Sequence, residues 1–155
     1  MARYIIGVDP GSLGGIAIYD RLEGVMKTFR MPETFPDIYE FFRDFASEKG
    51  SSDIIAYLEN VGHGMPGQSS KSTAVFARHC GHLEMAIYAV GIRTEMVTPQ
   101  KWQRSYSNSI GTSKGLDKTV WKNRLKGEAQ RLFPNNKVTL WNADAMLIAN
   151  YGARQ

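Results

Sequence analysis

Ile5-Ile6-Gly7-Val8-Asp9-Pro10-Gly11 is the stretch on which the fold turns. Tyr4 to Val8 is a short apolar run that stops at Asp9-Pro10-Gly11, the signature of a buried strand broken by a turn. Working outward, Gly14 to Tyr19 resumes as a second strand, and Gly24 to Met31 alternates loosely, completing an antiparallel meander. A helix is expected from Thr34, where Ile38, Phe41, Phe42 and Phe45 recur at helical spacing until Lys49-Gly50 closes it. Ile54 to Leu58 is a fourth strand, and it ends at Glu59.

The second half alternates in the same way. Gly62 to Ser69 is too rich in glycine for regular structure; Ser70 or Ser72 then caps a long helix through Val90, with Gly91 as its stop. Arg93 to Val97 is a fifth strand, Pro99 opens a short helix over 100–106, and Ser107 to Gly115 reads as a polar loop. A basic helix follows from Leu116 or Asp117 to Phe133, stopped by Pro134, and a last helix runs from Trp141 to Tyr151. Strands first and alternating elements afterwards predict an α/β fold, a mixed sheet flanked by helices.

With 155 residues and no repeat, linker or low-complexity tract, residues 1–155 are expected to form a single domain. Met1-Ala2-Arg3-Tyr4 leads straight into a strand, so no signal peptide is expected, and no apolar run approaches the ~20 residues of a membrane span. The lone Cys80, expected to be packed, suits a reducing cytoplasm, the location expected here. Charge is unevenly spread. Between Lys101 and Lys137 nine basic residues face only Asp117 and Glu128, so that stretch carries +7 and the rest of the chain −3 of the net +4. Such asymmetry points to a polyanion as partner.

Three acids occupy unusual places. Asp9 and Glu59 end apolar strands, and Asp144 lies in Ala143-Asp144-Ala145-Met146-Leu147-Ile148-Ala149, an otherwise apolar helix. Each has a plain structural use on its own: a turn-former or cap for the strand-end acids, a salt bridge to one of the many basic residues for Asp144. Three buried carboxylates converging would repel one another, however, unless a cation sits among them. Hard oxygen donors suit Mg²⁺ or Mn²⁺, and two such ions ~4 Å apart are the machinery of phosphodiester hydrolysis.

Ile5-Ile6-Gly7-Val8-Asp9-Pro10-Gly11 with Gly14-Gly15-Ile16-Ala17 resembles the first motif of the RuvC family of Holliday-junction resolvases, within the RNase H-like superfamily. Tyr57-Leu58-Glu59-Asn60-Val61 is similar to the second motif, and Ala143 to Ala149 to the final aspartate-bearing helix. Val97-Thr98-Pro99-Gln100-Lys101-Trp102 and Lys118-Thr119-Val120-Trp121-Lys122 resemble the basic third region of the phage and bacterial branch. The four matches fall in the family's order and cover essentially the whole chain.

The resemblance implies an RNase H-like five-stranded mixed sheet and a homodimer. It also implies paired metal-dependent incisions across a four-way junction. Asp9, Glu59 and Asp144 become the expected catalytic and metal-binding residues, with two Mg²⁺ or Mn²⁺ ions, and Lys118 the lysine beside the scissile phosphate. Where the family has a histidine or aspartate one turn before the last aspartate, this chain has Trp141; Asn142 is the adjacent oxygen donor and the expected fourth ligand. Lys101, Lys114, Lys118 and Lys122 are expected on the DNA backbone, and His63, Met65, Gln68 and Ser69 at the junction centre. The long helix after Ser69, with Ala74, Ala77, Gly81 and Ala86, matches the family's dimer helix; His79, His82, Trp102 and Trp121 are expected as packed residues. No membrane and no small-molecule cofactor is expected.

Three rivals share the pattern. Asp9-Pro10-Gly11-Ser12 also resembles the first phosphate loop of actin-like kinases, but those need two domains and a second loop, for which 155 residues leave no room. A nuclease acting on flaps, forks or structured RNA would use the same site. A catalytically impaired junction-binding module would explain Trp141.

Overall fold

A computed structural model describes residues 1–62 and 67–155. Five strands form one mixed sheet in the order β3-β2-β1-β4-β5, where β1 is Tyr4–Asp9, β2 Gly15–Asp20, β3 Val25–Arg30, β4 Ile54–Glu59 and β5 Arg93–Val97. The meander β1-β2-β3 is antiparallel, while β4 joins β1, and β5 joins β4, in parallel. Parallel neighbours need a crossover, and the two helices between these strands supply it: α1 (Phe35–Lys49) before β4 and α2 (Ser70–Ala89) before β5.

The central strand β1 is covered on both faces, which is why its sequence is an unbroken apolar run. Tyr4, Ile6 and Val8 point to one side, where they meet Ile38 and Phe42 of α1 and Leu83, Ala86 and Ile87 of α2. Ile5 points to the other, against α6 (Ala143–Ala153), with Tyr57, Trp102 and Leu125 in the same cluster. Gly7 is on that second face, and a Cβ there would collide with the backbone of Ala145 and Ala149. Glycine therefore sets how closely α6 approaches the sheet, which brings the start of that helix to the end of β1.

The caps follow sequence logic. Thr34 accepts from the Asp37 N–H at the start of α1, and Gly50 closes that helix at φ 86°. The cap of α2 is Ser69, one residue before the expected Ser70 and three before Ser72; its hydroxyl accepts from the Ser72 N–H at 3.1 Å. Beyond β5 lie α3 (Pro99–Arg104), α4 (Ser107–Ile110) and α5 (Lys118–Leu132). The polar loop expected over Ser107–Gly115 thus begins with a helical turn, anchored because Ser109 donates to the buried carboxylate of Glu128 on α5. Among the described residues no helix is long and apolar enough to cross a membrane.

Candidate active site

Asp9 and Glu59 end adjacent strands. Val8 lies opposite Leu58 in the parallel pair, so the two acids are the next residues along, side by side at one end of the sheet. Asp9 is held by a tight turn in which Gly14 N–H donates to the Gly11 carbonyl at 3.0 Å, and a Cβ on Gly14 would strike the Asp9 carbonyl. Asp144 arrives from the other direction, in the first turn of α6, where the helix's N–H groups favour a carboxylate.

Glu59 has a partner that the pattern alone did not reveal. Thr98 caps α3 and Pro99 begins it, so the helix leaves the end of β5 with Trp102 turned inward and fully buried. The Trp102 indole N–H donates to Glu59 Oε2 at 2.6 Å. Trp102 packs edge-on against Tyr106, whose hydroxyl donates to the Leu147 carbonyl of α6 at 2.6 Å and accepts from the Asn150 amide at 2.9 Å. One small packed unit therefore orients Glu59 and joins it to the helix that carries Asp144. A signal existed: Trp102 is the only bulky apolar side chain in Pro99-Gln100-Lys101-Trp102-Gln103-Arg104, so it had to face the core.

The three acids feel one another. Burial, then Asp144 and Glu59, hold the Asp9 carboxyl well above the usual range, and Lys122 opposes them. Burial pushes Glu59 up to about 7 with Asp144 adding to it, while the Trp102 N–H pulls the other way. Asp144 is pushed up to about 6 by burial, again against the charge of Lys122. Acids held in this state take up either protons or a cation, and their hard oxygen donors are those that Mg²⁺ and Mn²⁺ accept. Among the described residues no three His, Cys, Asp or Glu side chains close around a single point as a finished coordination sphere. An ion would have to draw Asp9, Glu59 and Asp144 inward, with one oxygen of Glu59 already taken by Trp102.

Asn142 corrects the expectation of a fourth ligand. The helix starts just after it, but the amide is fully committed: Oδ1 accepts from the Thr139 N–H at 2.8 Å, and Nδ2 donates to the Lys137 carbonyl at 3.1 Å and to Thr28 Oγ1 at 3.3 Å. It is buried at 2% exposure. Asn142 is thus a clip that ties the turn before α6 to β3, and it offers no free oxygen to a metal.

The basic residues divide. Lys122 is the lysine whose charge acts on Asp9 and Asp144, although the sequence motif pointed to Lys118, one turn earlier. Lys118 is the first residue of α5 and is exposed, as are Lys101 on α3 and Lys114 before α5. Gln68 and Ser69 are exposed, with the Ser69 hydroxyl used as the cap of α2; His63 and Met65 lie outside the described residues. On α2, His82 lies against Phe35 with ring centroids 5.2 Å apart, and Cys80 is partly buried.

No family model matches the chain. No curated relative matches it either. Solved structures do: Thermus thermophilus RuvC in complex with a Holliday junction substrate superposes with a TM-score of 0.63 at 11% identity, over 97% of this chain and 94% of that one. A second Thermus thermophilus RuvC structure gives 0.60 at 12% identity, over 97% and 95%. The five-stranded mixed sheet with its flanking helices is therefore the RuvC architecture, an RNase H-like fold, across nearly the whole of both chains.

Proposed function

We propose that the protein is a homodimeric, Mg²⁺- or Mn²⁺-dependent endonuclease that resolves four-way DNA junctions by paired nicks. The observation that carries this reading is that Asp9 and Glu59 end adjacent strands of a RuvC-like sheet, both buried and both within the electrostatic reach of Asp144 from a third element. The neighbour solved with a Holliday junction substrate supports branched DNA as the partner. A net charge of +7 over 101–137 supports a polyanion in general.

In this reading Asp9, Glu59 and Asp144 hold the metal, two ions per site. Divalent metal supplies the activation of water and the neutralisation of phosphate charge that hydrolysis requires. Trp102 fixes the rotamer of Glu59. Lys118 stabilises charge developing on the phosphate, Lys122 offsets the repulsion between Asp9 and Asp144, and Lys101 and Lys114 set the register of the DNA backbone. Gln68 and Ser69 would touch the junction centre, the role that the resemblance alone gives to His63 and Met65. The chain is read as one domain working in the cytoplasm, with no membrane and no small-molecule cofactor.

One observation favours a second reading. With Asn142 spent in the turn and Trp141 in the preceding position, the three carboxylates have no fourth ligand among the described residues, as in a junction-binding module of impaired chemistry. A single assay separates the two. The protein is incubated with a labelled four-way junction, a flap, a fork and a linear duplex, each with Mg²⁺, Mn²⁺ or EDTA. Symmetric, metal-dependent nicks confined to the junction are expected. Cutting of several branched forms would broaden the substrate, and tight junction binding without cutting under either ion would leave the binding module.

A further inference from the structure

Asp9 belongs to a row that runs on across the sheet. It lies opposite Gly15 on β2, and Gly15 lies opposite Arg30 on β3. Residues opposite one another in a ladder share a face, so Arg30 projects to the same side as Asp9, two strands and about 10 Å away. Two residues earlier on that face, Thr28 receives the Asn142 amide, so this side of β3 is the one packed against the turn before α6.

Between Arg30 and Asp9 stands Trp141. Its room comes from Gly15: a Cβ there would come within 3.0 Å of the Trp141 carbonyl and 3.1 Å of its ring. The Arg30 guanidinium lies over the Trp141 ring, 4.7 Å from its centroid. Stacking of this kind uses the face of the guanidinium and leaves its in-plane N–H donors free for bidentate contact with phosphate. Among the described residues Arg30 has no salt bridge to a carboxylate and no side-chain hydrogen bond. A cation held in one place, with its donors unspent, on the face of the sheet that carries Asp9 and two strands from it, is arranged for an anion still to come.

We propose that Arg30, held by Trp141, binds a backbone phosphate of the strand cut at the Asp9–Glu59–Asp144 site, and that Trp141 is a positioning residue acting through Arg30. The proposal rests on the nuclease reading. It also gives Trp141 a use of its own, as the platform that presents a guanidinium on the same face of the sheet as Asp9.

The test is junction binding in EDTA across a salt series, together with single-turnover cleavage in Mg²⁺, for wild type, Arg30→Ala, Arg30→Lys, Trp141→Phe, Trp141→Ala and the double variant Arg30→Ala with Trp141→Ala. Arg30 is exposed, and melting curves verify that each variant folds. Arg30→Ala should flatten the slope of log K against log salt by about 0.9, the loss of one phosphate contact. Arg30→Lys should restore the slope but not the rate, since lysine lacks the planar fork. Trp141→Phe should stay within about twofold of wild type, and Trp141→Ala should slow cleavage yet add less than about twofold to Arg30→Ala, the mark of one coupled unit. An Arg30→Ala protein with wild-type slope and rate, or fully additive losses at the two positions, would overturn the proposal while wild-type cutting left the nuclease reading standing. A wild type that neither binds nor cuts branched DNA would sink both.

Discussion

Trp102 and Glu59 meet through a single hydrogen bond of 2.6 Å, and that bond has consequences on two observables. The N–H stabilises the charged carboxylate, so Trp102→Phe removes a force that holds Glu59 down. Glu59 should then ionise at a pH above its present value of about 7, and the acidic limb of the pH–rate profile should move up with it. Loss of a buried charge-assisted bond is also expected to cost about 2 kcal/mol of stability, read by denaturant unfolding. An unchanged limb beside normal unfolding would remove Trp102 from the site. The three acids make a second prediction, with a definite sign. All three have folded values above their ordinary ones, so between pH 4 and 7 the metal-free folded state binds more protons than the unfolded chain, and stability falls as pH rises. Metal-free Tm should drop by at least about 5 °C from pH 5.5 to 8, since every tenfold gain in a carboxylate's proton affinity on folding is worth ~1.4 kcal/mol. Asp9→Asn should flatten that drop and abolish cleavage while leaving junction binding largely intact. The acids themselves were legible in the sequence, because a charge at the end of an apolar run stands out. Their partners were not: Trp102 and Glu59 are 43 positions apart, and a pairwise contact across that distance leaves no periodicity.

Elements place these side chains, and α6 is the one whose position matters most. Its backbone touches β1 where Gly7 has no side chain, with Ala145 and Ala149 facing it. Gly7→Ala would push a Cβ into backbone that cannot yield, and a loss of at least about 3 kcal/mol, or failure to fold, is expected in equilibrium unfolding. A neutral effect would mean that the helix can slide outward without penalty. On α5 the issue is which lysine serves which purpose. Lys122 acts on Asp9 and Asp144, while Lys118 stands one turn nearer the helix start, exposed. Lys118→Ala should lower the cleavage rate more than the junction affinity. Lys122→Ala should in addition move the acidic limb upward; equal losses of rate and affinity at Lys118 would reduce it to a backbone contact. Element type and order could be read from period and caps alone, to within a residue or two at most ends. The misreadings came where local chemistry outweighed period: Ser69 rather than Ser70 or Ser72 caps α2, α4 forms because Ser109 reaches Glu128, and Asn142 turns into its own loop.

At the scale of the whole molecule, the sheet order follows from rules the sequence obeys: a meander supplies the antiparallel half, and two helical crossovers supply the parallel half. The proposed dimer would form along α2. One face of α2 buries Leu83, Ala86 and Ile87 against the sheet, while the other leaves Val75 63%, Met85 63% and Tyr88 75% exposed. Gly81, Met85 and Tyr88 also line a groove of about 630 Å³, together with Ile92 and Met96 at the edge strand β5. Large apolar side chains around a glycine give a helix from another copy both contact area and close approach. A two-fold pair would set two carboxylate sites to cut symmetrically related strands. Met85→Glu with Tyr88→Glu places like charges face to face across that axis, with no cost to the chain's own core since both positions are exposed. Light scattering at micromolar concentration should show wild type at twice the 17.4 kDa chain mass and the variant at the chain mass itself. Junction cutting by the variant should decay from paired incisions to uncoordinated single nicks, with rate per site reduced far less than pairing. A wild type that stays at the chain mass with and without junction would take the dimer, and with it the coordinated cut, out of the proposal.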